Sequence, residues 1–98
     1  MSINNLEKLQ EFNHLLSQLI SREDHLSKME VLFFDTLNFF RDNQHPGMSS
    51  LLKDLQKVQE NEYKQVQDTH VSVNKRVVAI KRFKNSFRQV IRKAIQLT

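Results

Sequence analysis

The chain has 98 residues, 39% of them apolar and 27% charged, with one Gly, one Pro, no Cys and a formal net charge of +4. That length holds one small domain, and the absence of Cys excludes a disulfide framework and thiolate metal or redox chemistry. Two backbone breakers are too few for a sheet protein, which needs a turn signal about every 8–12 residues; long helices are expected instead. The charge is unevenly placed: residues 1–47 carry four Lys/Arg against seven Asp/Glu, and residues 48–98 carry eleven against four. After Asp68 there is no acidic residue, so one pole of the molecule is basic.

The opening residues, Met1 to Glu7, have neither a basic flank nor a continuous apolar core, so no leader is expected. No run approaches the roughly 20 apolar residues that span a bilayer. The most apolar run, Val31 to Phe40, is interrupted by Asp35 and Asn38. A soluble, cytoplasmic protein is expected.

Ser2 is suited to cap a first helix, and Glu7 lies toward its positive dipole end. From Leu9 to Phe40 the apolar residues alternate at spacings of three and four. Phe12, Leu19, Leu26, Phe33 and Phe40 fall at steps of seven. Leu9, Leu16 and Leu37 form a companion column that Glu23 and Glu30 interrupt. This periodicity predicts a coiled-coil-like helix over about residues 3–43, roughly 60 Å long at 1.5 Å per residue.

Near its end this arm is apolar around well over half its circumference, through Val31, Leu32, Phe33, Phe34, Leu37, Phe39 and Phe40. One antiparallel neighbour would cover Phe33, Leu37 and Phe40 and leave Phe34 facing elsewhere. Two readings follow. The residues form a local core capped by Met48, Leu51 and Leu52, or they are aromatic anchors for a partner.

The only Pro and the only Gly then fall together, in Asp42-Asn43-Gln44-His45-Pro46-Gly47. Pro lacks an N–H and Gly readily takes the left-handed conformation at a helix end, so a hinge is expected at Asn43, Pro46 and Gly47. Beyond it, Ser49 or Ser50 is placed to cap a second helix over about residues 49–96. Leu52, Val66, Val73, Ile80, Phe87 and Ala94 continue one heptad column, and Leu55, Phe83, Val90 and Leu97 a second. The predicted fold is all-α: a single elongated antiparallel two-helix hairpin with its turn at 43–48. In that fold the polar stretch Gln59–Ser72 lies opposite Glu23 and Glu30, a polar layer that fixes register at some cost in stability. The end of the second arm, Phe87 to Thr98, is an amphipathic basic helix. It reads as a solvated helix end or as a docking segment for an acidic partner, a membrane surface or nucleic acid.

Nothing here carries catalytic chemistry. His14, His25, His45 and His70 share no helical metal-ligand pairing, and one Gly cannot build a phosphate loop. No enzyme, metal or cofactor is expected.

With two long helices joined by a short turn ending in Gly, the chain resembles the WXG-type hairpins of type VII secretion. His45-Pro46-Gly47 stands where that family has Trp-x-Gly, and the Trp is missing. It is more similar to the small α-helical partners encoded with LXG toxins in Gram-positive bacteria. The shared layout is Phe33-Phe34, Phe39-Phe40, a short turn, Leu51-Leu52-Lys53-Asp54, a polar middle around Tyr63 and a basic tail. The resemblance implies an adaptor or chaperone that binds the helical N-terminal targeting domain of a toxin, beside a second small helical protein. No Tyr or Phe here has Asp or Glu four residues on, so an aromatic-x-x-x-acidic export signal would come from another subunit. The expected contact residues are Phe33, Phe34, Leu37, Phe39, Phe40, Met48, Leu51, Leu52, Phe83 and Phe87. On this reading the isolated chain is poorly folded or self-associated, and its export with the cargo is left open.

Two alternatives stand beside it. One is an adaptor or stalk protein of another secretion apparatus. The other is a nucleic-acid-binding helical protein using the basic 75–93 region, against which the cations are spread around the helix, with no helix-turn-helix spacing.

Overall fold

The computed structural model describes residues 3–43, 46–68 and 71–97. These residues form four helices and no strand: α1 (Ile3–Gln18), α2 (Glu23–Asp42), α3 and α4 (Val73–Gln96). Helix α3 runs without a break through Pro46–Val58, a π-helical turn Gln59–Tyr63 and a last turn Lys64–Gln67. The expected hairpin is corrected at two places. The first arm breaks at residues 19–22, the second has one helix ending at Gln67 and the next starting at Val73, and each arm doubles back on itself. The longest dimension is 43 Å, against the roughly 60 Å of an unbroken first arm.

The first break has a local cause. The sequence Leu19-Ile20-Ser21-Arg22 combines a β-branched residue with a Ser that favours turns over helix interiors. Arg22 is extended (φ −126°, ψ 152°), and Glu23 and Asp24 then sit at the positive end of α2. Side chains replace the lost helical bonds: the Ile20 N–H donates to His25 Nδ1 at 3.1 Å, and Lys84 Nζ of α4 donates to the Leu19 carbonyl. At the second break Asp68 leaves the helix (ψ 111°), and Ser72 caps α4 by accepting from the Lys75 N–H.

Neighbouring helices run antiparallel. Phe12 of α1 meets Phe39 of α2, Glu30 of α2 meets Tyr63 of α3, and Gly47 at the start of α3 lies beside Leu97 after α4. Helices α2 and α4 are therefore parallel, and they touch across the bundle, with Phe33 against Phe83 and Phe87. Helices α1 and α3 are kept apart by them. This is an up-down-up-down four-helix arrangement. Its core takes Leu9, Phe12 and Leu16 from α1, Leu26, Met29, Phe33, Leu37 and Phe40 from α2, Met48, Leu51, Leu55 and Tyr63 from α3, and Ile80, Phe83, Phe87 and Ile91 from α4.

The hinge differs from expectation in one respect. Gly47 has no positive φ; it lies in the first turn of α3, directly after Pro46 at the first helical position. Its missing side chain has a packing consequence, since a Cβ there would meet Leu97 Cδ1 at 3.2 Å. Asn43 ends α2 by donating to the Phe39 carbonyl through both its N–H (3.1 Å) and Nδ2 (2.9 Å). Gln44 and His45 lie outside the described residues.

Candidate functional site

Phe33 sits at the centre of the molecule. Its ring lies 5.0 Å from those of Phe83 and Phe87, 5.6 Å from Phe34 and 5.8 Å from Tyr63. The contacts with Phe34, Phe83 and Phe87 are edge-on and that with Tyr63 is tilted; edge-on aromatic pairs add about 0.5–1.5 kcal/mol each beyond their area burial. Phe33, Leu37, Phe40, Met48, Leu51, Phe83 and Phe87 are all buried in this chain's own core. Leu52 and Phe39 are half-buried against it. The ten residues expected to meet a partner are thus mostly inside, because α4 folds back and covers them. Phe34 reaches solvent, 38% exposed, and beside it on α2 stands Val31 at 62%.

The polar interruptions of the two arms meet, as two separate links. In one, the Tyr63 hydroxyl donates to Glu30 Oε2. Tyr63 points inward because the π turn adds a residue to α3: buried positions run 48, 51, 55, 58 and then 63 and 66. Burial, then the Glu30 carboxylate, pushes the Tyr63 phenol up to about 12.

In the other link, Arg76 forks onto Glu23, with Nη2 to Oε1 at 2.7 Å and Nε to Oε2 at 3.0 Å. The same guanidinium donates through Nη1 to the carbonyls of Val66 (2.9 Å) and Asp68 (2.8 Å), acceptors that the end of α3 leaves open. The Arg76 bond holds the Glu23 carboxyl below its usual range, and Glu23 raises Arg76 in turn. Lys84 is lowered by burial and by nearby Arg88.

Sequence reasoning missed Arg76 and Lys84 as cross-links between helices. One signal for the first break was present: Ser21-Arg22-Glu23-Asp24 ahead of Leu26 is an [Ser/Thr]-x-x-[Asp/Glu] helix start.

Among the described residues no group of three or more His, Asp or Glu converges as a metal site, and no helix is long and apolar enough to cross a membrane. The surface instead offers scattered apolar side chains (Leu15, Ile20, Val31, Phe34, Val73, Val77 and Val78) and the basic outer side of α4. Comparison of the chain with known protein families, with curated proteins and with solved structures found no match.

Proposed function

We propose that this chain is a non-enzymatic helical binding protein, and that its role is the one its resemblance implies. It acts as adaptor or chaperone for the helical N-terminal targeting domain of a type VII secreted toxin, and a second small helical protein supplies the export signal. The observation that carries the reading is the exposed pair Val31 and Phe34 on α2. They stand three residues apart on one helix face, the spacing at which an apolar face of a partner helix docks. Burial of Phe33, Phe40, Phe83 and Phe87 counts against the poorly folded isolated chain that the resemblance implies, so the proposed contact is narrower and is made by an already folded chain.

Co-purification with the N-terminal helical domain of an LXG toxin encoded beside this chain tests the proposal. Val31→Asp places a charge in the contact without touching the core and is expected to weaken capture at least tenfold. Capture that Val31→Asp leaves unchanged, or no capture by the parent chain, overturns it.

A further inference from the structure

Helix α4 carries eight of the fifteen Lys and Arg residues and no Asp or Glu; the rest of the chain then sums to −4 (seven cations against eleven acids). The structure sorts these eight. Arg76 is tied to Glu23 and Lys84 to the Leu19 carbonyl. Arg88 is half-buried, while Lys75, Lys81, Arg82, Arg92 and Lys93 are exposed. The described ion pairs are Lys8–Glu11, Arg22–Asp24 and Glu23–Arg76, so none of these five is neutralised by one.

At about 100° per residue these five, with half-buried Arg88, are not scattered but fall into two rows. Lys81, Arg88 and Arg92 form one; Lys75, Arg82 and Lys93 form the other, roughly a third of a turn away. On a helix about 10–12 Å across, that puts the rows roughly 10 Å apart. The strip between them holds Asn85, Gln89 and Gln96, with Val78 as its one apolar member. On the α3 side, carboxylates mark the edge of the surface: Asp68 shares a groove with Lys75 and Arg82, and Asp54 shares one with Lys93.

We propose that this outer face of α4 binds duplex DNA, lying over the major groove with one cationic row toward each phosphate strand. The row separation approaches the roughly 12 Å width of that groove, and the helix, about 36 Å long, runs along some ten base pairs. Asn and Gln between the rows present paired donors and acceptors to base edges. The other polyanionic surfaces fit less well. A membrane requires an apolar face to insert, and the apolar face of α4 is in the core. A protein partner requires several central aromatic or large aliphatic anchors, and the strip offers only Val78. Single strands are held by stacking on aromatic side chains, and no aromatic lies on this face.

Fluorescence anisotropy of the full chain with a labelled 24-base-pair DNA duplex, between 50 and 200 mM KCl, tests the proposal. With about five phosphates neutralised, affinity is expected to fall roughly 500-fold over that range, a log–log slope of about −4.5. The variant K81Q/R82Q/R92Q/K93Q is expected to lose at least tenfold at 50 mM and to flatten the slope by about 3–4. The smaller variant K81Q/R92Q flattens it by about half as much. A charge-matched control, K28Q/K53Q/K57Q/K64Q, alters exposed lysines of α2 and α3 and stays within about twofold of the parent. Circular dichroism establishes that all variants remain helical. Four results overturn the proposal: no binding at 50 mM KCl, an equal loss in the control, preference for a single strand of equal length, or stronger capture by phosphatidylserine vesicles at matched phosphate.

Discussion

At the scale of single residues, Phe33 and Tyr63 hold the centre. Phe33 is fully enclosed by four other rings, so Phe33→Ala leaves a cavity with rigid walls. It is expected to cost about 3–5 kcal/mol in urea unfolding. Tyr63 gives a pH signature. Its phenol has an ordinary value near 10.0 and is raised to about 12 in the fold, so the folded state favours the protonated form. The resulting stability is complete below pH 10 and disappears as pH rises from 10 to 12, a loss of about 2–3 kcal/mol. Tyr63→Phe removes the Glu30 bond, at about 1 kcal/mol near neutral pH. The variant is also expected to lose less stability than the parent between pH 10 and 12, which denaturant titrations at both ends would measure.

At the scale of elements, the helix ends and the π turn decide the path of the chain. Arg76 links the start of α2, the end of α3 and the start of α4 through one guanidinium, which is 17% exposed. Arg76→Ala is expected to destabilise by about 1–2 kcal/mol. Arg76→Lys is expected to restore little, because one ammonium cannot serve both the carboxylate fork and two carbonyls. The Glu23 part of this link is present above the carboxylate's ordinary value of 4.5 and fades as pH falls below it. The π turn makes a second prediction. It adds one residue between Val58 and Tyr63, so deleting exposed Asn61 returns α3 to α-helical spacing and keeps both of its buried segments facing inward. Thermal melts are expected to show a loss of no more than about 5 °C, near 1 kcal/mol for a domain of this size. Deleting Asn85 from the middle of α4 rotates Phe87 to Ala94 by about 100° and is expected to abolish the cooperative melt.

For the whole molecule, the central question is whether the chain encloses its own core. A two-helix hairpin would have left the aromatic end of the first arm open and in need of a partner. Four helices close over it, so sedimentation and calorimetry of the isolated chain are expected to show a folded monomer with one cooperative transition. A molten or aggregated chain that orders only on adding a partner would show that the bundle is not self-sufficient, and would restore the open-hairpin reading.

The sequence by itself determined that the chain is helical, that one of its breaks lies just before Pro46 and Gly47, and that basic charge gathers after Asp68. Composition, the one Pro, and residue spacing carry those features locally. It also placed Glu23 and Glu30 opposite the polar stretch of the second arm, which contains Tyr63 and precedes Arg76. Only the tertiary structure decided how many helices there are and which side of each is covered. The breaks at Ser21 and after Asp68 have weak local signals, and doubling back there gains burial that a long hairpin cannot supply. The heptad columns ran on through both breaks: Val73, on the seam by spacing, is 79% exposed, and Leu97 is 58% exposed. Periodicity reports a face only within one unbroken helix. A single added residue in the π turn, or four residues of loop, resets which face the next turn presents to the core.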